Sequence, residues 1–123
     1  MLRLKTVLQS IADQLPAFTA SAVVLIEDGI PVATLDSGSE IDPYAVAAYL
    51  TSIVQSKLKA AQFIDERPSV EDILIARDDY YYLVRLNPEK HYFLFVMTGR
   101  SEWLGRVRLA VDECQSEIAE IMG

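Results

Sequence analysis

The 123-residue chain holds one histidine and one cysteine, so its scope for side-chain catalysis is narrow. His91 falls where a strand is expected to begin. It could act as a general base, but no serine elbow, cysteine or second histidine supplies a partner. It therefore reads as a polar strand-end residue. Cys114 is flanked by Glu113 and Glu117, the opposite of the electropositive setting that activates a thiol, and reads as a small buried hydrophobe. Asp65, Glu66, Glu71, Asp72, Asp78 and Asp79 raise the question of a metal. Hard cations want several oxygens converging at fixed spacing, as in a calcium loop with a central glycine. That spacing is absent and Arg67 interrupts the first group, so a solvated rim is expected. Gly99 and Gly105 bracket RSEWL without the lysine and serine of a phosphate cradle. Tyr80, Tyr81 and Tyr82 alternate sides of a strand and lack the basic surround that stacking on nucleic acid needs. No catalytic residue, metal or cofactor is expected.

Composition narrows the class further. Hydrophobic residues make up 51% of the chain and charged residues 24%, ordinary values for a packed protein, and the length suits one domain over residues 1–123. A net charge of -7 opposes nucleic acid and anionic lipid as partners, since both demand clustered Lys and Arg. A lone cysteine excludes an intramolecular disulfide, and MLRLKTVLQSIADQL is too interrupted by polar residues for a signal-peptide core. A cytosolic protein without membrane insertion is the expectation.

The elements follow from periodicity. Leu4, Val7, Leu8, Ile11 and Leu15 are spaced as one face of a helix over about 2–15, closed by Pro16. Ala22–Ile26 is a continuous, β-branched run that suits a strand buried on both faces. Asp28-Gly29 predicts a two-residue type I′ hairpin to a second strand, Ile30–Leu35. Pro31 cannot donate to a ladder and so marks a sheet edge. Asp42 as N-cap with Pro43 behind it opens a long helix to about Phe63. Three strands follow, Val70–Arg77, Tyr80–Leu86 and His91–Thr98, with connections short enough for an antiparallel meander. A last helix over about 102–122 carries the stripe Trp103, Val107, Ala110, Val111, Cys114, Ile118 and Ile121. The fold class is α+β, five antiparallel strands with helices on both faces.

Two surfaces in this scheme lack an occupant. The long helix has a wide apolar arc of Val46, Ala47, Tyr49, Leu50, Ile53, Val54, Leu58, Ala60 and Ala61. Its other arc, Tyr44, Ala45, Ala48, Thr51, Ser52, Gln55, Ser56 and Lys59, is small and weakly polar where a solvated face would carry Glu and Lys. The strand Val70–Arg77 is the candidate for the second sheet edge and contains Ile73, Leu74, Ile75 and Ala76 with no Pro or Lys. Such an edge aggregates unless something pairs with it, and a symmetric dimer would satisfy both copies.

With these features in place, LPAFTASAVVLIEDGIPVAT, the long small-residue helix and WLGRVRLAV together resemble the roadblock/dynein light chain family across essentially the whole chain. The resemblance implies a five-stranded antiparallel sheet with one long helix on one face and the terminal helices on the other. It also implies a homodimer with a continuous sheet, joined through the middle strand edge and the long helix. Bacterial and archaeal members often bind or regulate Ras-like small GTPases, and stimulation of hydrolysis need not use an arginine of the roadblock protein. The expectation is a non-catalytic adaptor or regulator of a Ras-like small GTPase, with Tyr44, Ala48, Thr51, Ser52, Gln55 and Lys59 as partner-binding platform. Ala45, Ile73, Leu74 and Ile75 are the expected dimer interface. Arg100, Arg106 and Arg108 read as solvated surface residues. The alternatives are a small-molecule-binding sensory domain of similar architecture and, from another class, a hydrolase or transferase using His91.

Overall fold

The computed structural model describes residues 2–65, 67 and 69–123. Glu66 of the first carboxylate group and Pro68 lie outside the described residues. The elements in chain order are α1 (Leu2–Asp13), β1 (Phe18–Leu25), β2 (Pro31–Asp36), α2 (Pro43–Phe63), β3 (Glu71–Ala76), β4 (Tyr80–Asn87), β5 (Tyr92–Gly99) and α3 (Leu104–Met122). The strands form one antiparallel sheet in the order β2-β1-β5-β4-β3, so the two apolar strands are central and the edges are β2 and β3.

Alternation along the strands splits the core between two faces. On one face Val23, Leu94, Val96 and Leu83 pack under Leu4, Leu8 and Ile11 of α1 and Val107, Val111 and Ile118 of α3. On the other, Ala20, Ala22, Val24, Phe93, Phe95 and Met97 pack under Ala47, Leu50 and Val54 of α2. Burial on both faces of β1 and β5 accounts for the apolar runs over 22–25 and 92–97. The small alanines of β1 let α2 lie close to the sheet.

Three local expectations change. β1 starts at Phe18, four residues before the expected Ala22. The β1–β2 connection is not a type I′ turn, which needs positive φ at both central residues. Only Gly29 has it, at 73°, and the loop spans Ile26 to Ile30, with Gly29 N–H on the Leu25 carbonyl at 2.9 Å and Ile30 N–H on Asp28 Oδ1 at 2.9 Å. Trp103 is not on the α3 stripe. It precedes the helix in extended conformation, where the hundred-degree step does not apply, and is 75% exposed. The α2 start is as expected, with Asp42 Oδ1 accepting from Tyr44 N–H at 2.9 Å and Pro43 in the first turn.

Candidate interaction surface

The expected platform residues do not share one environment. Tyr44, Ala48, Ser52 and Lys59 are exposed on the outer side of α2, as is Ala45, which was expected at the dimer interface. Thr51 is buried, and its hydroxyl donates to the Ala47 carbonyl at 2.7 Å. It abuts Gly29, where a Cβ would stand 3.1 Å from Thr51 Oγ1. Gln55 is exposed, yet its amide donates to the carbonyls of Ile26 at 2.8 Å and Glu27 at 3.3 Å. Thr51 and Gln55 thus fasten the β1–β2 loop to α2. The physical reason is the position of α2, which packs on β1 and β2 and turns its inward arc towards Thr51.

The same offset uncovers the other flank of the helix. Tyr49 and Ala60, expected on the buried arc, are exposed, Tyr49 to 45%. The Tyr49 ring lies 6.2 Å from that of Tyr82 on β4, tilted by 59°. Val46 and Ile53 of α2 and Ile73 and Ile75 of β3 are half-buried against the α2-side core. Leu74 points to the opposite face and is 38% exposed. Ile73 and Ile75 therefore form an apolar strip beside the α2 flank, along a strand whose far side has no neighbouring strand among the described residues.

Ion pairs hold that strand from both faces. Lys57 of α2 pairs with Glu71. Asp72 pairs with Arg85 of β4 and, at 3.4 Å, with Arg108 of α3, while Arg85 also reaches Asp112 at 2.8 Å. The hydrogen bond to Asp72 dominates at Arg85 and raises its pKa against the opposing effect of burial. An open depression of about 530 Å³ lies at the β3–β4 turn, lined by Ala76, Arg77, Asp78, Asp79, Tyr80 and Tyr82.

Further exposed apolar residues extend the surface. Phe63 and Ile64 at the end of α2 are 83% and 70% exposed, and Val70 before β3 is 45% exposed. The helical step places Phe63 on the side of Ala45 and Ser56, a signal present in the sequence but not assigned there.

The residues screened for chemistry sit apart. His91 occupies the β4–β5 turn with φ of 62° and accepts from Ile26 N–H through its backbone carbonyl at 3.0 Å. Cys114 is buried under α3, and burial pushes its thiol pKa up, with Glu117 and Glu113 adding to the shift. Arg100 is tied to the Arg77 carbonyl at 2.6 Å and lies over the Tyr81 ring. Among the described residues no group of three metal-ligating side chains converges, and no helix is long and apolar enough to cross a membrane.

No family model and no curated protein matches the sequence. Solved structures do. MglB of Myxococcus xanthus matches at 18% identity over 92% of this chain and 88% of that one, with a TM-score of 0.76. The gliding protein MglB of Thermus thermophilus matches at 15% identity over 98% and 88%, with a TM-score of 0.81. A Roadblock/LC7 domain from Streptomyces avermitilis matches at 14% identity over 90% and 93%, with a TM-score of 0.69. The chain therefore has the fold shared by MglB and Roadblock/LC7 domains.

Proposed function

We propose that the protein is a non-catalytic homodimeric adaptor that binds a Ras-like small GTPase and modulates its nucleotide cycle or localisation. Two copies join along β3, extending the sheet across both, and the α2 flanks meet above the joint. The observation that carries this reading is the β3 edge, which has no neighbouring strand among the described residues, with Ile73 and Ile75 half-buried against the same core as Val46 and Ile53 of α2. Pairing two such edges gives the outward backbone groups partners and covers both apolar strips at once.

The outer side of the paired helices then forms the platform. Tyr44, Ala48, Ser52 and Lys59 are exposed there, and the small Ala48 and Ser52 let a partner backbone come close. The fold shared with MglB and the sequence resemblance to roadblock proteins support a GTPase as that partner. A regulator of this kind works by binding one conformation of the GTPase switch segments more tightly than another.

Capture from the native cell tests the platform. The wild-type chain is expected to retain a Ras-like GTPase in one nucleotide state. Ser52→Arg is expected to reduce the capture at least tenfold with an unchanged melting temperature, since Ser52 is exposed. Absence of any GTPase in both nucleotide states would contradict the reading.

A further inference from the structure

We infer that the second copy pairs with β3 in one register only, antiparallel and centred on Leu74. This rests on the dimer proposed above and adds to it the residues that select the alignment. Arg77 N–H donates to the Tyr80 carbonyl at 2.8 Å. Alternation along an antiparallel ladder then directs the backbone groups of Glu71, Ile73, Ile75 and Arg77 to β4 and those of Asp72, Leu74 and Ala76 outward. The side chains divide the same way. Ile73 and Ile75 pack on the α2 side, while Asp72 is bonded to Arg108 of α3 on the other. A two-fold pairing that keeps α2-side residues facing α2-side residues must be centred on a residue, because a slip of one position exchanges the faces.

Three centres lie within the strand's apolar middle, and cross-strand chemistry separates them. Centring on Ile73 sets Asp72 against Leu74 and Glu71 against Ile75, so carboxylates face branched aliphatics. Centring on Ile75 sets Asp72 against Asp78 and Glu71 against Asp79, like charges directly opposed, and Ile73 against Arg77. Centring on Leu74 sets Leu74 on itself, Ile73 against Ile75 twice, Asp72 against the small Ala76 twice, and Glu71 against Arg77 twice. Only the last has no opposed like charges and no carboxylate set against a branched aliphatic. Its hydrogen-bonded pairs are those with outward backbone groups, Leu74 with Leu74 and Asp72 with Ala76. Glu71, already paired with Lys57, then sits between that lysine and Arg77 of the second copy, so charges alternate across the joint. Asp78 and Asp79, immediately beyond Arg77, repel a slip towards the turn.

Cysteine cross-linking in a Cys114→Ala background tests this, because a disulfide tolerates Cα separations of only about 4.4–6.8 Å. Leu74→Cys alone is expected to form disulfide-linked dimers on mild oxidation. Ile73→Cys and Ile75→Cys alone are expected to remain unlinked, and their one-to-one mixture to link after subunit exchange. In parallel, Arg77→Glu is expected to raise the dimer dissociation constant roughly tenfold by opposing Glu71 twice, and Lys57→Glu, Glu71→Lys and Arg77→Glu together to restore it by keeping charges alternating across the joint. Strongest linking by Ile73→Cys alone or Ile75→Cys alone, in a protein of dimer mass, overturns the register and leaves the β3 joint standing. Dimer mass with no linking at any of the three positions overturns the joint itself. Monomer mass overturns both.

Discussion

At one edge of the sheet Pro31 opens β2, the ladder to β1 shifts register between Val23 and Val24, and α1 and α2 both pack against the strand. At the other, β3 runs from Glu71 to Ala76 in unbroken register with β4, with no proline or bulge, and its main contact is β4. Both edges have outward amides and carbonyls, but β2 has a helix packed on each face. β3 is fixed in position by ion pairs, Lys57 with Glu71 and Arg85 and Arg108 with Asp72, while its apolar middle stays half-open. An edge strand can thus be held straight without being covered. Charges on its first two residues do the holding.

The contrast can be broken most severely at Leu74. Its N–H points outward, so Leu74→Pro removes a group needed by a second strand and none needed by β4. The dimer dissociation constant is expected to rise about a hundredfold or more, with the melting temperature of the dissociated chain little changed, by analytical ultracentrifugation and calorimetry. Thr34→Lys on β2 is expected to leave the dimer intact in the same experiment.

A smaller effect falls on the β2 edge. Gly29 has φ of 73°, and a Cβ there would meet Thr51 Oγ1 at 3.1 Å and its Cβ and Cγ2 at 3.3 Å. Gly29→Ala is expected to cost about 1–3 kcal/mol in urea unfolding through backbone strain and crowding, without changing the dimer mass. The smallest effect concerns the α1/α3 face shared by both edges. The Cys114 thiol is held above its ordinary pKa by burial and by Glu117 and Glu113. The folded state therefore keeps a proton that the unfolded chain releases, and stability falls as pH rises past the ordinary thiol value of about 8.5. Cys114→Ala is expected to flatten that alkaline decline in thermal melts.

Much of the fold was legible because single residues had single uses. Pro31 marked an edge, Asp42-Pro43 opened α2, and two uninterrupted apolar runs identified the central strands. The surface was legible only in part. A helical wheel shows the width of the apolar arc, but the direction in which it settles depends on the sheet beneath. Because α2 lies over β1 and β2, Thr51 moved inward and Tyr49 outward. The role of Gln55 was hidden for a related reason, since its acceptors are carbonyls of a loop more than 25 residues earlier. Glu102 is a stronger case. It is buried and accepts Ala17 N–H at 2.8 Å across 85 residues, a contact without local pattern.

In the proposed dimer, β3 is the edge that receives a second copy. Static light scattering of the wild-type chain at micromolar concentration tests it most directly. Pairing along β3 gives twice the 13.8 kDa chain mass, falling to the single-chain value on Leu74→Pro. A single-chain mass for the wild type across that range would contradict it.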